Sequence, residues 1–200
     1  MKLVIASGNR GKLAEFTDLL GDSGIEGIAQ GELGVEDIEE TGLTFVENAL
    51  LKARHASQVT GLPALADDSG LCVDALDGAP GLYSARYAGE PSDAARNIDK
   101  LLQTLDGVPE AQRGAHFHCT LVLLRHAGDP RPLIAQGEWH GRVLTARRGA
   151  GGFGYDPLFL DLETGKTAAE LELAIKNRIS HRGQALATLQ QKLSSLVGAT

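Results

Sequence analysis

Two adjacent aspartates sit between two short apolar runs in the first half of the chain. The runs at 63–65 and 71–73 flank the motif Ala66-Asp67-Asp68-Ser69-Gly70. Turn-forming residues between apolar runs predict a buried strand, a tight acidic turn and a second strand. Adjacent carboxylates are costly to hold together unless a positive group lies near them. Hydrated Mg²⁺ is a suitable partner, since it prefers one or two carboxylates plus substrate phosphates; the alternative is an ordinary polar turn.

The N-terminus follows the order strand, glycine-containing loop and helix. An apolar run at 2–6 comes first, and beyond the loop Leu13 and Phe16 repeat at helical spacing. A helix N-terminus with free backbone N–H groups and a lysine is a natural phosphate site. It is not a Walker A loop, which would need glycine in place of Ala6. The alternative is a simple strand-to-helix turn with a surface lysine. The loop consists of Ser7, Gly8, Asn9, Arg10, Gly11 and Lys12.

Composition and charge exclude several classes of protein. The chain has 200 residues, 42% of them hydrophobic, so we expect a single packed domain over 1–200. Its net charge of −7 argues against a general nucleic-acid or anionic-membrane surface. Cys72 and Cys119 are far apart and outside any CxxC pair, which argues against a zinc or redox motif. No apolar run approaches membrane-spanning length, and we expect a cytoplasmic protein.

Capping and periodicity patterns define the remaining elements. Thr44 and Glu47 form a capping box that predicts the start of a helix. Lys52 lies in the middle of that helix, where a solvated surface position is expected. An acidic loop carrying Glu39 and Glu40 comes just before it. The other predicted elements are a strand at 25–30, a helix capped by Ser92, a hairpin of strands at 115–126 and 133–144, a short helix at 167–173, and a last helix capped by Ser180.

The glycine-rich segment at 149–154 matches the GxGxxG pattern of dinucleotide-binding folds, yet we reject that interpretation. The motif must open a helix, whereas here an apolar, strand-like run follows at 158–160. A glycine-rich loop carrying Phe153, Tyr155 and Asp156 is better suited to gripping a flat ring. Stacking of a base on an aromatic side chain is worth about 1–3 kcal/mol.

A histidine and an arginine fall in the first turn of the last predicted helix. A cation at a helix N-terminus opposes the helix macrodipole. His181 and Arg182 are therefore candidates for contact with an acceptor on a ligand. The alternative is a solvent-exposed first turn.

Six motifs occur in order along essentially the whole chain. They are Ser7-Gly8-Asn9-Arg10-Gly11-Lys12, Glu39-Glu40-Thr41-Gly42-Leu43-Thr44-Phe45, Ala66-Asp67-Asp68-Ser69-Gly70-Leu71, Gly78-Ala79-Pro80-Gly81-Leu82-Tyr83-Ser84-Ala85-Arg86, Gly151-Gly152-Phe153-Gly154-Tyr155-Asp156-Pro157 and Ile179-Ser180-His181-Arg182-Gly183. With these motifs the chain resembles the inosine/xanthosine triphosphate pyrophosphatase family of the bacterial type.

The resemblance implies a fold and an activity. The fold is mixed α/β, a long twisted mixed β-sheet flanked by helices, with two lobes around an active-site cleft. The activity is hydrolysis of ITP, dITP and XTP to the monophosphate and pyrophosphate, with Mg²⁺, in a homodimer. Such an enzyme keeps non-standard purine nucleotides out of DNA and RNA, and needs no nucleic-acid or membrane partner.

The resemblance also implies a role for individual residues. The loop from Ser7 to Lys12 holds the triphosphate, and Lys52 points towards it instead of lying on the surface. Asp68 is the general base and binds Mg²⁺ together with Glu39 or Glu40, while Ser69 contacts the substrate. The residues expected around the nucleotide are Phe153, Gly154, Tyr155, Asp156, Lys176, His181 and Arg182.

One position departs from the family pattern. Members commonly carry two acidic residues immediately before the lysine matched by Lys176. Here those positions are Ala174 and Ile175, which leaves the orientation of the lysine open.

Base choice is a separate question. The C6 carbonyl of hypoxanthine or xanthine would pair with donors from His181 and Arg182, whereas the amino group of adenine would leave them unpaired. On this hypothesis Arg182→Ala weakens the use of ITP far more than that of ATP. Two alternatives stay open: a related pyrophosphatase for modified pyrimidine or methylated nucleotides, and a nucleotide-binding sensor without turnover.

Overall fold

The computed structural model describes residues 2–20 and 25–197. The strands are β1 (Lys2–Ala6), β2 (Glu26–Ala29), β3 (Ala64–Val73), β4 (Gly114–Leu124), β5 (Leu133–Val143) and β6 (Phe159–Asp161). The α-helices are α1 (Arg10–Leu20), α2 (Phe45–Thr60), α3 (Ala94–Thr104), α4 (Leu173–Ile179) and α5 (His181–Val197). Within the described residues, no helix is both long and apolar enough to span a bilayer.

The strands form one six-stranded sheet in the order β2-β1-β3-β4-β5-β6. β1 runs parallel to both β2 and β3, whereas β5 and β6 are antiparallel, so the sheet is mixed as predicted. Side-chain contacts pair His118 with Glu138 and Thr120 with Gln136. Residue numbers therefore fall along β5 as they rise along β4, which is the arrangement of the predicted hairpin.

The chain divides into two compact units. Unit 1 comprises Met1–Asp68, Cys119–Gly137 and Arg182–Thr200, and unit 2 comprises Ser69–His118 and Glu138–His181. The boundaries fall inside β3, β4 and β5, so each of these strands contributes residues to both units.

In unit 1 helices cover both faces of the sheet. Side chains alternate between the two faces along each strand, so neighbouring strand residues belong to different apolar clusters. On one face Leu65 packs in a cluster with Phe16 of α1 and Leu186 of α5. On the other, Ala66 packs with Ala49 of α2. In unit 2 a single cluster, including Phe117 and Trp139, covers one face of β4 and β5.

Three local predictions were tested by the structure, with different results. The capping box is confirmed, since the backbone N–H of Glu47 donates to Thr44 Oγ1 over 3.3 Å. The cap of α3 is Asp93 instead of Ser92, because the Asp93 carboxylate accepts from the N–H of Arg96 at 2.8 Å. The short helix predicted at 167–173 is wrong: residues 167–172 are not helical, and α4 begins at Leu173.

The largest correction concerns the two aspartates. The predicted acidic turn is absent, and Ala64–Val73 is one continuous strand of ten residues through Asp67 and Asp68. β3 lies between β1 and β4 in the middle of the sheet. Pairing on both sides outweighs the turn preference of Asp, Ser and Gly.

Candidate functional site

The strand conformation of β3 places Asp67 and Asp68 on opposite faces of the sheet. Asp67 shares its face with Leu65, and its partners come from α1 and α5. Asp68 shares its face with Ala66, and its partners come from α2. The two carboxylates therefore point to opposite faces, and each makes direct contact with a different set of cations.

Lys52 bridges two carboxylates on the α2 side. Its Nζ lies 2.9 Å from Asp68 Oδ1 and 2.6 Å from Glu40 Oε1. Asn48, one turn earlier on the same helix, donates from Nδ2 to Asp68 Oδ2 over 3.3 Å. Burial lowers the pKa of Lys52, but the charges of Asp68, Asp67 and Glu40 outweigh it and leave the pKa raised. The surface position expected for Lys52 is wrong, and the lysine is a half-buried cation held by two carboxylates.

The environment of Asp68 makes it a stronger proton acceptor than a free aspartate. Burial raises the pKa of its carboxyl, and the charge of Glu40 adds to the effect, while Lys52 and Lys12 act in the opposite direction. A general base works best when its pKa is near the operating pH. A raised pKa suits that role.

Asp67 has the opposite character. It is fully buried, which raises a carboxyl pKa, yet the charges of Lys12, Arg182 and Lys52 outweigh burial and hold its pKa far below the usual range. Lys12 forms an ion pair with its Oδ1, and Arg182 Nε lies 3.4 Å from its Oδ2. Cys119 Sγ is 3.3 Å from the same Oδ2. Two carboxylates with pKa values pushed apart are typical of a site with one base and one permanent anion.

The N-terminal loop presents Lys12 from the first turn of α1. Asn9 Oδ1 accepts from the N–H of Lys12 at 3.1 Å, and Ser7 Oγ accepts from the N–H of Asn9 at 3.2 Å. These contacts are those of a helix cap, and they fix the loop before Arg10, whose side chain lies outside what the structure describes. Gly8 packs closely on Asp37, because a Cβ there would lie 2.7 Å from Asp37 Oδ2. The loop for which we expect phosphate binding therefore forms the capped start of α1.

Glu40 is the glutamate that joins Asp68, since both contact Lys52, whereas Glu39 is exposed. Within the described residues, no three acidic, histidine or cysteine side chains are grouped to hold a metal ion. Mg²⁺ commonly takes one or two carboxylates and completes its shell with substrate phosphates and water. The oxygen donors of Glu40 and Asp68, already gathered around a cation, fit that chemistry.

In unit 2, Asp156 organises the glycine-rich loop. Its Oδ2 accepts from the N–H of Phe153 at 2.9 Å and from Nζ of Lys176 at 2.7 Å. The same Nζ lies 5.0 Å from the centre of the Phe153 ring. The ring is 36% exposed, while Asp156 and Lys176 are buried. The loop therefore offers one aromatic face, and Gly154, with a φ of 58°, turns the chain directly after it.

Two residues expected at the nucleotide have structural partners. Tyr155 is buried in the core of unit 2 and donates its hydroxyl to the carbonyl oxygen of Ser84 at 2.9 Å. Burial raises the pKa of the Tyr155 phenol. Lys176 takes its orientation from Asp156, and neither Ala174 nor Ile175 is needed for it.

Ser69, the expected substrate contact, and Gly70 follow Asp68 on β3. Ser69 is half-buried. Gly70 packs tightly against the chain at 81–84, because a Cβ there would lie 2.8 Å from Ser84 Oγ and would collide with the carbonyl oxygen of Gly81. Ser84 Oγ in turn accepts from the N–H of Leu71 at 2.9 Å. Gly70 thus makes room for the turn at 81–84.

His181 and Arg182 begin α5, as predicted, but both are buried, so the solvent-exposed alternative is wrong. His181 stacks on Phe117 in unit 2, with ring centres 4.9 Å apart and planes at 14°. Arg182 belongs to unit 1, where its guanidinium contacts Glu15 and Asp67. The two residues are adjacent in sequence, but His181 contacts an aromatic ring and Arg182 contacts two carboxylates.

Sequence reasoning missed Glu15 and Asn48. Both are buried polar residues on helices. Asn48 lies four residues before Lys52 and Glu15 three residues after Lys12, so each shares a helix face with a lysine already singled out. This helical spacing is the one feature of the sequence that could have identified Glu15 and Asn48 as candidate site residues.

Comparison with known proteins agrees with this geometry. Residues 3–192 match the Ham1 family. A dITP/XTP pyrophosphatase of Xanthomonas campestris pv. campestris is 64% identical over 97% of this chain and 98% of its own. The structure of a HAM1 protein from Coxiella burnetii superposes with a TM-score of 0.90 at 51% identity, covering 98% of this chain and 99% of that one. The Ham1 protein of Staphylococcus aureus gives a TM-score of 0.85 at 40% identity, covering 98% and 100%. The chain belongs to the Ham1 family.

Proposed function

We propose that this protein hydrolyses ITP, dITP and XTP to the nucleoside monophosphate and pyrophosphate. It would thereby remove non-standard purine nucleotides before they enter DNA or RNA. The observation that carries the proposal is the pair Asp67 and Asp68 on opposite faces of β3, the first held by Lys12 and Arg182 and the second by Lys52 and Asn48. The dITP/XTP pyrophosphatase activity named for the Xanthomonas relative supports it.

The proposed mechanism uses Asp68 as the general base. Its carboxylate accepts a proton from the water that attacks the α-phosphorus, while Asn48 and Lys52 hold the carboxylate in place. Lys12, Lys52 and the N–H groups at the start of α1 offset the charge of the triphosphate. Neutralising charge and positioning the reactants account for most of the catalysis in such reactions.

We assign Mg²⁺ to Glu40 and Asp68, with Glu39 as the exposed neighbour. Bound there, the ion would supply charge neutralisation at the phosphates. The carboxylates of Glu40 and Asp68 would hold the ion, together with oxygens of the substrate.

We propose that the purine base of the nucleotide stacks on Phe153, which is exposed in unit 2. His181 is the candidate donor to the C6 carbonyl of hypoxanthine or xanthine. A site built to pair a particular polar group rejects analogues that lack it by about 10⁴-fold or more. Asp156 binds the N–H of Phe153 and Tyr155 binds the carbonyl oxygen of Ser84, so we assign neither of them a contact with the base.

The test is a substrate panel with identified products. Purified protein is incubated with Mg²⁺ and ITP, XTP, GTP or ATP in parallel. We expect monophosphate and pyrophosphate from ITP and XTP, little product from GTP or ATP, and loss of turnover when a chelator removes the metal. Orthophosphate release would instead show attack at the γ-phosphorus. Binding of ITP with no product in a single turnover would point to a sensor.

We further propose a cytoplasmic homodimer without a nucleic-acid or membrane partner. The acidic net charge of −7 supports the absence of a nucleic-acid surface. Light scattering should give twice the chain mass of 21.1 kDa. A mass that stays at that of one chain across a concentration series contradicts the dimer.

A further inference from the structure

Four charged side chains form a chain of ion pairs inside unit 1. Glu15 contacts Arg182, Arg182 contacts Asp67, and Asp67 contacts Lys12. Glu15 is 6% exposed, and Arg182 and Asp67 are each 1% exposed. The two acids and two bases balance in charge, as a buried set must if it is not to cost several kcal/mol. We call these residues the buried quartet.

The Lys12 end of the buried quartet is more exposed than the Glu15 end. The side chain of Lys12 is 16% exposed, whereas that of Glu15 is 7% exposed. The Arg182 guanidinium also lies 5.8 Å from the centre of the Phe16 ring, which packs in the core beside α5. Arg182 is thus fixed by two carboxylates and an aromatic ring, all of them in unit 1.

These contacts assign Arg182 a different task from base recognition. We infer that the Glu15–Arg182 ion pair is a positioning device for the triphosphate: it fixes Asp67, and Asp67 fixes the ammonium of Lys12. The inference rests on the proposed function, and it makes Glu15 and Arg182 positioning residues instead of specificity residues. Displacing a group in an active site by about 1 Å can cost 10²-fold in rate, so such support is consequential.

The variant Glu15→Gln distinguishes a positioning role of Glu15 from an effect of its charge alone on phosphate binding. The variant is isosteric and removes one negative charge near the phosphate site, so charge alone predicts tighter binding of a polyanion. Positioning predicts the opposite. Arg182 is left with Asp67 as its only carboxylate in the buried quartet, draws it away from Lys12, and weakens binding by about tenfold.

The probe is inorganic tripolyphosphate, which has no base. Its dissociation constant is measured by calorimetry without divalent cations, so the reading reports the cations of the protein itself. The KM for ITP is measured separately with Mg²⁺. We expect Glu15→Gln and Arg182→Gln to weaken tripolyphosphate binding and to raise the KM for ITP by similar factors. Phe153→Ala is expected to raise the KM alone.

A double variant adds a readout that loss of structure does not mimic. Glu15→Gln combined with Arg182→Gln removes both members of the ion pair and leaves Asp67 and Lys12 balanced. It should bind tripolyphosphate more tightly than either single variant, as coupled residues in a cycle do. Replacing both members of a buried ion pair is also often tolerated by the fold, which keeps the test available if a single variant unfolds.

Arg125→Gln is the matched control. Arg125 also pairs with an aspartate of unit 1, Asp129, at 2.6 Å, but lies outside the buried quartet. It should change neither constant. Unchanged or tighter tripolyphosphate binding by Glu15→Gln overturns the inference, as does a selective loss of ITP use in Arg182→Gln. Wild-type protein that fails to bind tripolyphosphate overturns the inference as well, whereas the proposed function fails only if the protein with Mg²⁺ hydrolyses neither ITP nor XTP.

Discussion

Asp68→Asn is expected to lower kcat for ITP by about 10²–10⁴-fold, the usual contribution of a general base. Asparagine keeps the shape of the side chain and can still accept a hydrogen bond from Lys52, so the fold should persist. It cannot take a proton from water at neutral pH. Pyrophosphate release is the quantity to measure, with circular dichroism to verify folding.

The pH profile of the same pair gives a second reading. A protonated Asp68 cannot accept the proton of the attacking water, so the wild-type rate should fall on the acid side as Asp68 is protonated. That acid limb should be missing from the residual activity of the variant. Asp99→Asn is the control, because Asp99 is an exposed partner of Arg147 in unit 2. A near-wild-type rate for Asp68→Asn removes Asp68 from the role of base.

Asp67→Asn should lower the free energy of unfolding by about 3–5 kcal/mol at pH 7, the usual cost of removing one member of a buried ion pair. The substitution leaves Lys12 and Arg182 near each other without the carboxylate that compensates them. Urea unfolding followed by fluorescence of the single tryptophan measures the loss.

The sign of its pH dependence follows from the lowered pKa of Asp67. The unfolded chain takes up a proton near pH 4, whereas the folded chain resists it, so the Asp67 contribution is present above that pH and is lost as the pH falls below it. The stability difference between wild type and Asp67→Asn should therefore be full at pH 7 and shrink below about pH 4. A difference that stays constant down to pH 3 would falsify the ionic explanation.

Local sequence patterns predicted the elements whose signals are local. The capping box at Thr44, the hairpin of β4 and β5, and the start of α5 at His181 depend on residues within a few positions of one another. The acidic turn at Asp67 and Asp68 failed for the opposite reason. A strand interior with Asp, Ser and Gly has poor local propensity, and it forms because β1 and β4 pair on either side and helices supply cations.

The candidate site shows the same division. Helical periodicity could place Lys52 on α2, but its direction depends on Asp68 and Glu40, which are distant in sequence. The partnership of Arg182 with Glu15 joins the two ends of the chain, and no spacing rule could reveal it. Glu15 and Asn48 were within reach, since each shares a helix face with a lysine of interest.

The continuous strand through Asp67 and Asp68 couples the assembly of the site to strand register. Slipping β3 by one residue would exchange its two faces. Asp67 would then meet Lys52, and Asp68 would meet the Arg182 side of the sheet. The apolar side chains of β3 would change faces as well, and Leu65 would point towards the alanines of α2. The packing that rejects a slipped sheet thus also sorts the two aspartates, so a correctly registered strand sets Asp68 beside Lys52 and Asp67 beside Lys12 and Arg182.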